Sequence, residues 1–286
     1  LRDKFPEKHF IVGGTHASTF PEEMMEYADT VVVGEGEEVI CDIVERRRTG
    51  IIRTERIRDL DTIPMPAWDL MMDDIKEINR LSKKSPFLMR WPLAHIITSR
   101  GCPNGCVFCA VKVAWGRQWV SRSPENVVDE IEYLYRNGFR EIHFNDDNCS
   151  IDKERMYGIC NEIILRKIDI RIACPTGIHI NTLDYDLLKF MKRAGFYRLC
   201  FGIETGNQAM QFKIKKNINL DKARKVINDA NRLGYWTAAT FILGFPEETE
   251  EQRHDTLEFA ETSGLDFPIF YNLVIQPKTE LYERYK

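Results

Sequence analysis

Long apolar runs are what this sequence of 286 residues most plainly lacks. No stretch approaches the roughly 20 apolar residues needed to cross a bilayer, so no membrane-spanning helix is expected. The opening, LRDKFPEKHF, carries charge but no apolar h-region, and no secretory signal is visible. An excess of positive charge is missing too. A net charge of −4 and a pI near 6.0 give no electrostatic footprint for nucleic acid. The basic runs ERRRTG (45–50) and KIKKN (213–217) are short and interrupted, and are read as solvated helix ends. There is no internal repeat at a fixed period and no low-complexity tract. Leu1 stands where an initiator Met would, so the sequence is expected to be a fragment or to be trimmed at its N-terminus. Eight cysteines without a secretory signal point to a reducing cytoplasm, where thiols stay available to metals.

What is present falls into two α/β patterns. In residues 1–56, HFIVGG (9–14) and TVVVGEGE (30–37) read as buried strands closed by glycines. PEEMMEYA (21–28) and EEVICDIVERRRTG (37–50) read as helices, with Gly50 as the stop of the second. That alternation belongs to a doubly wound sheet, though some fifty residues are too few for an independent one. Residues 57–92 read as an ordered linker, because Pro64 and Pro66 bias the chain to extended structure. From residue 93 to 286 the alternation persists. Strands are expected at 94–99, 141–146, 170–175, 197–204, 236–245 and 267–277, and helices at 123–138, 152–167, 183–195, 220–234 and 249–264. Ser123 is expected to cap the first of these helices, with Pro124 in its first turn and Gly138 beyond its end. Six strands alternating with five helices fit a parallel barrel or part of one, whose function collects at the C-terminal strand ends.

At the first of those ends lies TSRGCPNGCVFCAV (98–111), with Cys102, Cys106 and Cys109 inside eight residues and no fourth cysteine nearby. A structural zinc or a closed iron–sulfur cube takes four protein ligands, so three thiolates leave one coordination position open. Soft thiolates select iron–sulfur or zinc centres, and Gly101 and Gly105 allow the loop to wrap closely. The bland alternative is a structural zinc, or a cluster completed by a distant thiol such as Cys149. Cys149, Cys160, Cys174 and Cys200 otherwise read as small buried hydrophobes. His143 and His179 read as satisfied core histidines, with a proton relay as the alternative. Trp115 and Trp119 are placed to shield the loop from water.

The spacing Cys102-x3-Cys106-x2-Cys109 directly after a first strand resembles the signature of the radical S-adenosylmethionine (SAM) superfamily. The resemblance implies that the three thiolates hold a [4Fe–4S] cluster whose open iron takes the amine and carboxylate of SAM. An electron from the cluster then splits SAM into methionine and a 5′-deoxyadenosyl radical. It further implies SAM contacts at Phe108 beside the adenine, at Asp146 or Asp147 in FNDDN (144–148) for the amino group, and at Glu204 in FGIETG (201–206) for the ribose or the amino acid end. Ile242 and Gly244 in FILGFPEE (241–248) would let the backbone approach adenine. FNDDN departs from the commoner Gly-Gly-Glu version. IQPKTELY (275–282) resembles the sixth-strand exit.

The N-terminal stretch IVGGTHAST…VVVGEGEE resembles the second half of the cobalamin-binding domain that precedes many radical SAM cores. This implies cobalamin contacts at Gly13, Gly14, His16, Gly34 and Gly36; the bland reading is a Rossmann-like remnant whose glycines are only tight turns. The whole is then α/β: a partial (β/α)6 TIM-like barrel at 93–286, a linker at 57–92, and half of a Rossmann-like cobalamin-binding domain at 1–56. The implied activity is C–H abstraction followed by cobalamin-dependent methyl transfer. The alternatives are a cobalamin-type cyclase or oxidative rearrangement enzyme, a radical SAM methylthiotransferase, or a non-catalytic iron–sulfur or zinc module. A methylthiotransferase would need three further N-terminal cluster cysteines, which Cys41 alone does not supply. Expected partners are a small-molecule or natural-product substrate and an external electron donor of flavodoxin or ferredoxin type.

Overall fold

In the computed structural model, which describes residues 2–82 and 87–286, the strands of the larger sheet lie side by side in chain order. They are β4 (Leu93–Ile96), β7 (Glu141–Phe144), β8 (Arg171–Ile178), β9 (Phe196–Glu204), β10 (Trp236–Leu243) and β11 (Phe267–Asn272), every neighbouring pair parallel. Parallel neighbours require crossovers, and each is made by a helix. These are α6 (Pro124–Arg136), α7 (Lys153–Leu165), α8 (Tyr185–Arg193), α10 (Leu220–Arg232) and α11 (Glu250–Thr262). β4 and β11 end the sheet without pairing to each other, so the barrel is open, the partial (β/α)6 form expected.

The helices begin where the side chains cap them. Ser123 accepts from Asn126 N with Pro124 in the first turn, and Gly138 follows the helix at φ 95°. Asp152, Asp184 and Asn219 cap α7, α8 and α10 in the same way, and Thr249 with Gln252 forms a capping box on α11. The apolar faces of these helices close over the outer face of the sheet. Ile131, Leu134, Met156, Ile159, Leu187, Met191 and Ile227 pack with Ile142, Phe144, Ile172, Leu199 and Phe201 in one core. Truncating a fully buried member such as Phe144 to Ala costs about 3–5 kcal/mol.

The N-terminal residues make a separate parallel sheet, β1 (Ile11–Val12), β2 (Thr30–Val33) and β3 (Gly50–Arg53), with α1 (Thr15–Thr19), α2 (Pro21–Met24) and α3 (Ile40–Arg46). β3 was not expected. Gly50, read as a helix stop, opens a strand at φ 94° that pairs with β2 from Thr30 to Val33. Of the apolar set on α3, only Ile43 is buried; Ile40 and Val44 are exposed.

The expected linker at 57–92 is corrected in its middle, while its residues 83–86 lie outside the described residues. Residues 68–82 form the 15-residue helix α4 (Trp68–Ser82), because the proline bias ends at Pro66 and the apolar spacing of Trp68, Met72 and Ile75, continued by the buried polar Asn79, then turns one face to the barrel. Asn79 does for one residue what a neighbouring strand would do: its amide donates to Leu93 O (2.9 Å) and accepts from Leu93 N (2.7 Å), pairing the first residue of the open β4 edge.

Candidate functional site

Past β4 the chain makes a two-residue strand, β5 (Ser99–Arg100), antiparallel to β6 (Val120–Ser121), and the three cysteines lie in the loop that this pair brackets. The loop is tied from several sides. Gly101 N donates to Asp147 Oδ2 at 2.8 Å, Val107 N to Ile214 O at 3.0 Å, and Leu281 N to Val107 O at 2.9 Å. Gly101 adopts φ +85°, and a Cβ there would stand 2.2 Å from Gln118 O, so only glycine fits. Leu281 belongs to α12 (Glu280–Tyr285), and α5 (Val111–Trp115) follows the loop.

Cys102, Cys106 and Cys109 face one cavity of about 270 Å³ at the C-terminal ends of the barrel strands. The same cavity is lined by Phe108, Asp146, Asp147 and Glu204, four of the six residues expected to meet SAM. Burial pushes the Cys106 thiol up to about 11, against the Lys216 ammonium, and the neighbouring Cys109 and Cys102 push the same way. Cys109 is raised for the same leading reason. Thiolates that crowd one another in a buried pocket need a cationic centre to be stable, which is what an iron–sulfur cluster or a metal provides. Among the described residues no three His, Cys, Asp or Glu side chains converge as the ligands of a single ion do. The three thiols instead border one open cavity. Cys149 lies elsewhere, its sulfur 3.8 Å from that of Cys174 inside the core, and it does not line the cavity.

The acidic residues divide by environment. Asp146 is fully enclosed and accepts from Thr98 N (2.7 Å), Thr98 Oγ1 (2.6 Å) and Ser99 Oγ (2.6 Å), so it ties the β7 exit to the β4 exit. Burial raises the Asp146 carboxyl despite these donors, and raises that of Asp147 as well. Glu204 ends β9 at φ +69°, a left-handed conformation that costs a non-glycine residue about 1–2 kcal/mol. It sits beside a register shift of β10 between Thr240 and Phe241, accepts from Thr240 Oγ1 at 3.3 Å and pairs with Lys216 Nζ at 3.0 Å.

Lys216 is the residue that sequence reasoning missed, since KIKKN reads as a solvated run. Lys213 and Lys215 do face solvent, but Lys216 points into the cavity. Lys215 and Asn217 on either side are left-handed (φ 54° and 57°), and both Lys216 N and Asn217 N donate to Gln211 O on α9 (Gln208–Lys213). Gln211 is fully buried and anchors the turn to Ile203 O and Thr205 O. Burial pushes the Lys216 ammonium down, yet Glu204 and the Cys106 thiol outweigh it and hold it above its ordinary value. The doublet of basic residues around position 216, following FGIETG, is the one signal that could have found it.

His179 also lines the cavity, and burial beside Lys216 holds its ring down to about 4. His143 is buried against Glu141 at 2.8 Å, away from the cavity. Ile242 lines an adjoining groove with Phe108, Cys109, Glu204 and Thr240. Gly244 lines neither; its N–H donates to Glu248 Oε2 at 2.8 Å. Trp119 donates to Asn148 O, and the Arg56 and Arg100 guanidiniums both stand over the Trp115 ring. Of the glycines in the N-terminal sheet, Gly13 and Gly14 are exposed beside exposed His16 at the β1 exit. Gly34 instead makes room inside the sheet, where a Cβ would stand 2.5 Å from Thr54 Oγ1, and Gly36 packs near Val32.

The profile described as the Radical SAM superfamily matches residues 96–260. The chain is 30% identical over 296 residues to an uncharacterized methyltransferase, PH0819, of Pyrococcus horikoshii, a match covering 96% of this chain and 62% of that protein. It is 27% identical over 317 residues to the cytidylyl-2-hydroxyethylphosphonate methyltransferase of Streptomyces wedmorensis, covering 93% and 59%. The chain thus spans about three-fifths of the length of these curated relatives. In fold it is similar to the cobalamin-dependent S-adenosylmethionine radical enzyme OxsB, with a TM-score of 0.76 at 17% identity over 96% of this chain and 41% of that one. With more than half of its residues inside that profile, the chain belongs to the radical SAM superfamily.

Proposed function

We propose that this chain is the core of a radical SAM enzyme that uses a [4Fe–4S] cluster and SAM, and that the complete protein transfers a methyl group with the help of cobalamin. The observation that carries the reading is the meeting of Cys102, Cys106 and Cys109 with Glu204 and Lys216 around one cavity at the C-terminal end of a parallel barrel. When bound, the cluster supplies the electron that cleaves the C–S bond of SAM.

The protein's own residues supply position and charge. Cys102, Cys106 and Cys109 would hold the cluster at the cavity wall. Lys216, a cation fixed by Glu204, matches a carboxylate, while Asp147 offers an acceptor to an ammonium. Phe108, T-shaped against Phe245 at 5.7 Å, and Ile242 give an apolar wall for an adenine. His179, held neutral, turns an unpartnered Nε2 toward the cavity as a hydrogen-bonding group. Asp146 serves as the tie between strand ends rather than as a free acceptor. At the N-terminal sheet, exposed Gly13, Gly14 and His16 leave a surface that cobalamin can approach, whereas Gly34 and Gly36 act within the sheet.

Methyl transfer is favoured by the two methyltransferase-named relatives, and cobalamin by the likeness to OxsB. The substrate is a small molecule, with an external flavodoxin- or ferredoxin-type electron donor, and the protein works in the cytoplasm. The test is anaerobic turnover of the full-length protein with SAM, reductant and cobalamin, followed by mass spectrometry. Formation of 5′-deoxyadenosine and a product one methylene heavier is expected. A SAM pool left intact sinks the enzyme reading, and SAM cleavage with a product of unchanged carbon count sinks methyl transfer in favour of cyclisation or oxidation.

A further inference from the structure

One buried carboxylate outside the cavity has no part in the chemistry above. Glu35 lies in the GEGE turn after β2, with its side chain only 2% exposed. Its Oε1 meets Arg100 Nη1 at 2.6 Å and Arg56 Nη1 at 3.0 Å, and its Oε2 accepts from Ile57 N at 2.7 Å. Exposed Glu37 takes the second arm of Arg100 at 2.6 Å. Both guanidiniums stand over the Trp115 ring, at 4.8 Å for Arg56 and 5.8 Å for Arg100. Arg100 lies two residues before Cys102, and Trp115 six residues after Cys109.

Arg56 has a further task. Its Nη2 donates to Arg100 O at 3.0 Å, and the N–H of the same peptide group, on Gly101, donates to Asp147 at 2.8 Å. The peptide plane just ahead of Cys102 is therefore gripped at both ends, by an arginine that Glu35 holds and by an aspartate at the cavity. Buried charges of this kind are costly unless paired; Arg100 is hydrogen-bonded to Glu35, while Arg56 is held to it by charge alone, its Nε and Nη1 making no hydrogen bond.

We propose that Glu35 is a positioning residue for the three-cysteine loop: through Arg56 and Arg100 it orients the Arg100–Gly101 peptide and so sets where Cys102 presents its thiolate. The N-terminal sheet is thereby coupled mechanically to the cluster loop, a role for the GEGE turn carried by its buried acid and not by its glycines. The inference rests on reading that loop as the seat of the cluster.

The test compares Glu35→Gln, Glu35→Asp and the surface control Glu37→Gln in the full-length protein. In cluster-free protein, alkylation rates are mapped by mass spectrometry. Glu35→Gln is expected to raise the Cys102 rate about tenfold or more, because truncating one partner of a buried pair removes more than one tenfold step. Buried Cys160 should stay protected and exposed Cys41 unchanged. Glu35→Asp should recover part of the effect, and Glu37→Gln should show almost none. In reconstituted protein, Glu35→Gln should alter the electron paramagnetic resonance line shape of the reduced cluster. A folded Glu35→Gln with wild-type Cys102 reactivity and wild-type spectrum overturns the proposal, leaving Glu35 as a plain inter-sheet ion pair. If Glu35→Gln unfolds, seen as loss of Cys160 protection, Arg56→Lys is judged by the same two criteria, since lysine cannot hold Glu35 and Arg100 O together. If the wild type binds no cluster, the functional reading fails while the alkylation comparison still decides on Glu35.

Discussion

Gly101→Ala is the sharpest perturbation of the loop. The new Cβ would stand 2.2 Å from Gln118 O and 3.3 Å from Gln118 C, both backbone atoms that no rotamer change can move. At φ +85° the alanine also pays about 1–2 kcal/mol for a left-handed conformation. Relieving the contact requires the β5–β6 pair to part, at the scale of overpacking, about 1–3 kcal/mol. The sum, about 2–5 kcal/mol, is a large share of a domain's stability. Gly105 lies in the same loop, yet a Cβ there would meet only the end of the Arg117 side chain, Nη2 at 3.6 Å and Cζ at 3.9 Å, ordinary contacts with a flexible group. Gly105→Ala should therefore cost less than about 0.5 kcal/mol. Urea denaturation of the cluster-free variants, with iron content after reconstitution, reads both. Gly101→Ala should fall well below wild type on each, and Gly105→Ala should match it. Equal behaviour of the two alanines would refute the reasoning.

Other perturbations separate the remaining parts of the account. Lys216→Met should strand buried Glu204, lowering stability by about 3 kcal/mol, and should weaken SAM binding; adding Glu204→Gln should restore thermal stability but not binding, measured by calorimetry. His179, held near 4 against an ordinary 6.5, stays neutral in the fold while the unfolded chain takes up a proton below pH 6.5. Stability should thus fall as pH drops from 6.5 to 4, by up to about 3 kcal/mol from this residue, and His179→Gln should flatten that decline; parallel melting profiles for the two proteins would contradict it. Asn79→Ala should leave Leu93 N–H and C=O unpaired at the sheet edge and cost about 2 kcal/mol, read as a lowered melting temperature.

The barrel was legible because its signals are local and repeated. Ser123-Pro124 announces α6, Gly138 ends it, and the strands are short apolar runs between such marks. The cysteine spacing was equally direct. What escaped depends on residues distant in sequence. α4 was hidden because Pro64 and Pro66 spoke for extended chain while the reason for a helix, Trp68 and Asn79 reaching β4 and α6, lies in tertiary packing. β3 is only four residues long and begins with a glycine that resembles a helix stop. Lys216 is turned inward by two left-handed neighbours and a buried glutamine, none of which periodicity reveals. Asp146 was visible as an acid at a strand end, but its donors, Thr98 and Ser99, come from the neighbouring strand exit. Attention to the glycines of GEGE likewise passed over Glu35, whose partners are 21 and 65 residues away.

The most direct measurement of the central claim is the electron paramagnetic resonance spectrum of the reduced, reconstituted full-length protein with and without SAM. A [4Fe–4S] signal that shifts when SAM is added, and that is lost in Cys102→Ala, is the predicted result. A signal indifferent to SAM, or a protein that retains zinc and no iron after anaerobic reconstitution, would contradict it.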